Sequence, residues 1–328
     1  MRNLRSIAVV LVFLACAAAP PKGLVLVPFE EPNSTDPHAA AVTEAILADF
    51  AAAGMTVPTV APIDHIDAVS TAAKICATNN AWAVLIPDGR SEQTMKRVAV
   101  SFVTVLHYPT HVELRLDVVG CNGRVLWSTV TTGDQNPGGV YSVGNLGAAV
   151  DAAFASAAQE AVQKYVHATI PESAATGADP SAAPVAQPAS GAAYLLLPVG
   201  QPGIADPRAD DITHSLAEQM QQRKLEVKVG ASIDHLSAVT TAPQLCSANG
   251  VQGIVVPTVR IEQSGVTGAS HAVVRLALLD CSGAVSGHGY GDADLKHVTM
   301  VNFGAAAVEV SERAMGPALD QLFPATKS

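Results

Sequence analysis

The sequence predicts an α/β fold written twice: two tandem copies of a small domain, each stacking helices on a mixed sheet that carries a β-hairpin, in two or three layers. Three observations predict it. A set of residues recurs in order along the chain, short apolar runs alternate with helical stripes, and four of the five cysteines fall at matched positions. With 328 residues, 49% of them hydrophobic and 15% charged, there is apolar material for a core in each copy.

The recurrence has an offset of 170. Pro28, Pro32, Asp36 and Pro37 return as Pro198, Pro202, Asp206 and Pro207, and Ile63, Asp64, His65, Ala68 and Val69 as Ile233, Asp234, His235, Ala238 and Val239. Cys76, Pro87, Arg90 and Glu92 follow the same rule. Beyond Thr94 the offset is 160, so that His111, Arg115, Leu116, Cys121 and Gly123 match His271, Arg275, Leu276, Cys281 and Gly283. The second copy therefore lacks ten residues between those points. Ordered identity of this kind is the mark of an internal repeat. The copies span 23–166 and 193–324, and the Ala/Pro/Ser-rich stretch 167–191 between them reads as a semi-flexible linker.

Each element has a local reason. Leu24–Val27 and Tyr194–Leu197 are continuous apolar runs, as a strand covered on both faces requires. Asp36-Pro37 and Asp206-Pro207 place a carboxylate to accept first-turn amides and a proline where no amide donor is needed. Val42, Ile46 and Phe50, like Ile212, Leu216 and Met220, make one buried helix face. Gly54 ends the first of these helices, and a brief strand is expected from Met55 to Val60. A second helix is expected from Asp64 to Cys76 and from Asp234 to Cys246. Strands at Ala81–Pro87 and Val251–Pro257 lead into hairpins that close at Gly120-Cys121-Asn122-Gly123 and Asp280-Cys281-Ser282-Gly283. A last strand and an Ala-rich helix, 145–166 or 302–323, complete each unit.

One cysteine lies near the start and two lie in each repeat. In an exported chain that implies two disulfides. Cys246 precedes an outgoing strand and Cys281 follows the returning one, so both reach the same end of the sheet, where Cα atoms approach the roughly 5.5 Å a disulfide needs. The expected pairs are Cys246–Cys281 and, by analogy, Cys76–Cys121.

Residues 1–19 have the form of a targeting segment: Arg2 and Arg5 precede an uncharged stretch from Ile7 to Ala19, too short to span a bilayer of about 30 Å comfortably. Two processing readings stay open. Ala15-Cys16-Ala17 fits a small-x-small cleavage site, and Phe13-Leu14-Ala15-Cys16 is similar to a bacterial lipobox that would leave Cys16 lipidated. Either way the chain is expected in the bacterial periplasm, lipid-anchored to a membrane or, as an alternative, secreted. A formal charge of −10 and 4% aromatic residues give no footprint for nucleic acid.

Candidate chemistry is sparse. The repeated Ile-Asp-His reads as helix capping by the aspartate, against a rival reading in which Asp orients a reactive imidazole. His288, Asp292, Asp294 and His297 combine imidazole and carboxylate ligands close in sequence, so they are the residues a metal-dependent hydrolase would use, although the matching stretch from Ser128 to Gly133 has neither imidazole. Residues 133–144 carry no phosphate-loop pattern and read as a surface loop. No catalytic residue and no cofactor are expected. The first-copy insertion alternates Val98, Val100, Phe102, Thr104 and Leu106 with intervening residues, then turns at Tyr108-Pro109-Thr110. It reads as a long β-hairpin beyond the sheet that packs on its own domain, with edge-on docking of a partner and entry into a membrane barrel as the rival readings.

Val27-Pro28-Phe29 before a helix, Ala83–Ile86, Leu114–Val119 and Gly123–Ser128, closed by an Ala-rich helix, resemble the periplasmic α/β domain shared by the amino-terminal part of TolB, the curli secretion subunit CsgG and the penicillin-binding-protein activator LpoB. The resemblance implies a non-enzymatic envelope protein, often a lipoprotein, that acts through contacts with envelope protein partners, and a homo-oligomer of this chain is a further expectation. The cysteine pairs and the duplication depart from that family, and Gly287-His288-Gly289-Tyr290 stands where the first copy has Trp127. A small-ligand receptor with its cleft between the two domains is the remaining alternative.

Overall fold

The computed structural model describes residues 23–32, 36–93, 96–100, 103–107, 109–136, 146–175, 193–202, 206–264, 269–296 and 303–324. The expected targeting segment with Cys16, Phe102, His297, residues 137–144 of the expected surface loop and linker residues 176–191 lie outside them, whereas residues 133–135 of that loop belong to a strand.

The first half runs β1 (Gly23–Leu26), α1 (Ala39–Ala52), α2 (His65–Ser70), α3 (Ala72–Asn79), β2 (Ala81–Gln93), β3 (Lys96–Val100), β4 (Val103–His107), β5 (Thr110–Gly120), β6 (Val125–Gln135) and α4 (Leu146–Val166). The second runs β7 (Ala193–Leu196), α5 (Ala209–Gln222), β8 (Glu226–Val229), α6 (His235–Asn249), β9 (Gly253–Ser264), β10 (Ala269–Asp280), β11 (Val285–Leu295) and α7 (Phe303–Leu322). This is an α/β fold with two mixed sheets. One has the order β1-β2-β5-β6, the other β11-β10-β9-β7-β8, and β3 with β4 forms a separate two-stranded ribbon. The strand that opens each half pairs in parallel, whereas the hairpin strands pair antiparallel.

Three elements differ from expectation. The strand expected at Met55–Val60 is reduced to a single parallel bridge, Leu26 to Thr59, whereas Glu226–Val229 is a true strand beside β7. Pro58 stands where the second half has Lys228, and proline has no N–H to give a ladder. The helix expected from Asp64 to Cys76 breaks at Thr71 into α2 and α3, while α6 continues through its Pro243. The Asp36 and Asp206 carboxylates do accept amides, from His38 at 2.8 Å and Arg208 at 2.9 Å, but in a turn before the helices, whose N-caps are His38 and Arg208. At the other end of α1, Gly54 takes φ +79°; Lys224 holds the corresponding place at φ +62°, a backbone that costs a side-chain residue strain.

The outer face of the first sheet is covered by α1 and α4, with Phe29, Ile46, Phe50, Leu85, Leu114, Leu116 and Phe154 buried between them. The second sheet is covered in the same way by α5 and α7 over Leu196, Ile212, Leu216, Val274 and Leu319. The inner faces share one core. Val25, Val27, Ile66, Val69, Val84 and Ile86 of the first half pack with Leu195, Leu197, Leu236, Val239, Ile254 and Val256 of the second. Burying that apolar layer is what joins the halves, at roughly 25 cal/mol per Å² removed from water. The expected linker begins docked rather than free: a short 3₁₀ turn at Glu172–Ala175 packs on the end of β5, and Asn122 donates its backbone N–H to Ala175 O at 3.2 Å.

Both disulfides form within halves, Cys76–Cys121 with Cα atoms 5.8 Å apart and Cys246–Cys281 with 5.7 Å. Each ties the helix before the hairpin to the turn after it.

Candidate functional site

The polar residues that the fold gathers lie along the seam between the halves. Strand alternation decides this. Arg115 and Asp117 on β5 and Arg275 on β10 point to the inner face, where they are buried beside the shared apolar core. Arg115 donates to Asp117 at 2.8 Å on its own strand and to Asp234 of the other half. Arg275 donates to Glu31 and, at 3.0 Å, to Pro32 O. A second tier is reciprocal: Arg90 lies 3.6 Å from Asp206, and Arg260 lies 3.7 Å from Asp36. Arg260 also approaches Glu31 and Asp88, both at 3.7 Å, and stacks 4.6 Å above the centre of the Phe29 ring.

Burial shapes the titration of this layer. It opposes ionisation of Glu31, yet His65, Arg260 and Arg275 outweigh it and hold the carboxyl down at about 2. Burial pushes the Asp117 carboxyl up against the pull of Arg115. His235 is driven down to about 4 by burial, helped by the positive Arg115. The two histidines of the repeated Ile-Asp-His are buried, and each ring meets a carbonyl, His65 Nε2 with Pro28 O at 3.3 Å and His235 Nε2 with Pro198 O at 2.8 Å. Their aspartates cap: Asp64 accepts the Ile66 amide at 2.9 Å, and Asp234 accepts that of Ser237 at 3.1 Å. Charge here is matched against charge, an arrangement that holds two surfaces together.

His288, Asp292 and Asp294 all lie on β11, but they do not converge. At about 3.3 Å per residue, His288 and Asp292 are on the order of 13 Å apart along the strand, and Asp294 pairs with His271 Nδ1 at 3.0 Å. The segment is a strand whose glycines face a helix: a Cβ at Gly289 would meet Ala318 O at 2.0 Å, and one at Gly291 would meet Ala314 O at 2.0 Å. With that face given to α7, His288 turns the other way, toward the first half, where its Nε2 lies 3.1 Å from Asp67 Oδ2. Asp64 is beside them. Sequence spacing could not find this set, because its members are 221 residues apart.

Openings along the seam differ in size. A cavity of about 20 Å³ lies among Glu31, His65, Arg115, Gln201 and His235, and one of about 60 Å³ among Arg90, Glu113, Asp206 and Arg260. A shallower pocket of about 450 Å³ opens between Val69, Ser70 and Gly123 on one side and Val239, Thr240 and Gly283 on the other. The insertion forms a hairpin, but not with the expected turn: β3 and β4 pair with each other, Val98 opposite Val105 and Lys96 opposite His107, so the chain reverses between Val100 and Val103, inside the run expected to be a single strand ending at Tyr108-Pro109-Thr110. Val98, Val100, Thr104 and Leu106 sit on its backbone; their side chains, like all of Phe102, lie outside the described set. Among the described residues, no helix is long and apolar enough to cross a membrane.

No protein-family model matches the chain, and no curated protein matches it. Among solved structures it is similar to a PelC dodecamer from Paraburkholderia phytofirmans, at 14% identity over 44% of this chain and 89% of that one, TM-score 0.27. It is similar to a minor lipoprotein from Acinetobacter baumannii, at 11% identity over 44% and 91%, TM-score 0.26. A putative neuraminyllactose-binding hemagglutinin homolog from Helicobacter pylori aligns at 13% identity over 44% and 83%, TM-score 0.29. These are partial likenesses at low identity, and they assign neither the TolB/CsgG/LpoB family nor an activity.

Proposed function

We propose that this chain is an exported envelope protein that acts by binding or assembly, with no catalysis of its own. The observation that carries the reading is the use of its charges. Glu31, Arg115, Asp117 and Arg275, the buried carboxylates and guanidiniums at the seam among the described residues, are spent on one another across two halves that share a core. An active site needs a polar set held open toward a substrate, and here the set is closed on itself. The duplicated domain then works as an internal dimer, a rigid platform from which the β3–β4 ribbon stands out of the sheet plan.

In this reading the ribbon docks a protein partner of the envelope, and the TolB/CsgG/LpoB resemblance supplies the class of partner. Residues 1–19 direct export, and lipidation of Cys16 anchors the chain where it occurs. The test replaces residues 95–108 with the short connection 265–268 that the second half uses at the same place. The swapped protein should melt as the parent does. In the native host, in vivo crosslinking should then lose the adduct that the parent forms, and light scattering should report whether self-assembly is lost with it. Unchanged crosslinks and an unchanged oligomer would remove the ribbon from the reading, and a hydrolytic turnover retained by purified parent but abolished in His288→Ala would overturn the non-catalytic claim.

A further inference from the structure

We infer that Asp64, Asp67 and His288 form a site for one divalent transition-metal ion, of the zinc type, that bridges the two halves at the rim of the seam. One ligand atom from each of the three lies within 4.8 Å of the other two. Ligands at the 2.0–2.1 Å bond lengths of tetrahedral zinc sit about 3.3 Å from one another. The His288 Nε2 to Asp67 Oδ2 separation of 3.1 Å already has that spacing. His288 is 43% exposed, so its ring has room to close the remaining gap to Asp64.

The set is more than a cluster of acids, because an imidazole arrives from the opposite half and two independent features aim it. Glycines at 289 and 291 let α7 lie on one face of β11, which sends His288 to the other. The cap that Asp64 makes with Ile66 N fixes one carboxylate oxygen and leaves the group a second oxygen to offer. Imidazole with two carboxylates suits zinc, nickel or cobalt over the all-oxygen preference of calcium and magnesium, and three protein ligands leave a fourth position for water.

The corresponding residues of the other half make the contrast. They are Asp234, Ser237 and Ser128, with no imidazole, and there Asp234 is taken by Arg115. At Asp64 the neighbouring charges include Glu31, which together with burial raises its carboxyl, while His65 and His288 pull it down. A dication at this point would neutralise two carboxylates that the fold has brought within reach of each other.

The test is calorimetric titration of Zn²⁺ into full-length mature protein, untagged and stripped with EDTA, with thermal melts in parallel. One saturable equivalent is expected, with a higher melting temperature when zinc is present. His288→Ala and Asp67→Asn should each weaken binding at least tenfold and abolish the zinc-induced rise. Asp64→Asn keeps a capping side chain and should also weaken binding. His271→Ala, which breaks another exposed His–Asp pair, should leave both readouts unchanged. A non-saturable wild-type titration, or wild-type binding by His288→Ala with an intact circular dichroism spectrum, would overturn the site, as would loss of binding in His271→Ala alone.

Discussion

The two ends of the seam use corresponding residues and reach opposite electrostatic solutions. At one end Glu31 sits among Arg275, Arg260 and His65 and stays ionised down to about 2. At the other end Gln201 occupies the matching place, at 3.5 Å from Arg115, and can accept a hydrogen bond but cannot neutralise a guanidinium. Arg115 is satisfied instead by Asp117 on its own strand and by Asp234 across the seam. Asp117 has as its counterpart the buried Ala277, since Arg275 is already paired. A buried arginine tolerates divergence only if a carboxylate reappears within reach, because an unpaired buried charge costs several kcal/mol. What two such ends teach is that the carboxylate can be relocated while the arginine stays.

That comparison can be broken at the arginines. Arg115→Ala strands Asp117 and Asp234 together and should cost about 3–5 kcal/mol in urea unfolding. Arg275→Ala should cost less, because Arg260 and His65 remain beside Glu31. Equal losses would show that the two ends are energetically alike after all.

The disulfides test the halves themselves. Replacing Cys76 and Cys121 with serine, or Cys246 and Cys281, opens loops of 45 and 35 residues. Each pair should lower stability by about 3–4 kcal/mol, with nearly equal effects because the entropy grows only with the logarithm of loop length. A large inequality in chemical denaturation would assign the halves different roles in holding the seam.

Acid sharpens the contrast between Glu31 and His235. His235 is protonated more readily in the unfolded chain than in the fold, where its value is about 4 against an ordinary 6.5. Stability is therefore lost as pH falls from 6.5 to 4, by about 3 kcal/mol. Glu31, at about 2 against 4.5, gives a second loss as pH falls from 4.5 to 2, of about the same size. His235→Asn should remove the upper step and Glu31→Gln the lower one in equilibrium unfolding followed against pH; the opposite assignment would reverse the account of the two ends. The smallest effect is expected from exchanging the ribbon for residues 265–268, which should shift stability by no more than about 0.5 kcal/mol, since β3 and β4 pair with each other and are strands of neither larger sheet.

Much of each half was legible because its causes are local. The Val42, Ile46 and Phe50 stripe is buried under the first sheet as its spacing requires. The cysteines meet because one reversal of a strand returns the chain to where it left. The errors were also local. Pro58 cut a strand to a bridge, one expected helix breaks at Thr71 whereas its counterpart runs on through Pro243, and His288, Asp292 and Asp294, close in sequence, are spread along a strand whose glycines face α7. The seam left only an indirect trace, in charged residues that recur at strand positions, Arg90 with Arg260 and Arg115 with Arg275, where apolar neighbours predict burial.

From the sequence alone came the α/β class, the layout of each half and the pairing of its sulfurs, because hydrophobic period, turn chemistry and short loop closure act over tens of residues. Which arginine meets which carboxylate, and that His288 meets Asp64 and Asp67, were decided by the tertiary structure. Two faces that each leave an apolar layer uncovered must bury it against something, and only when they bury it against each other do side chains 119 to 244 residues apart come to share one charge balance.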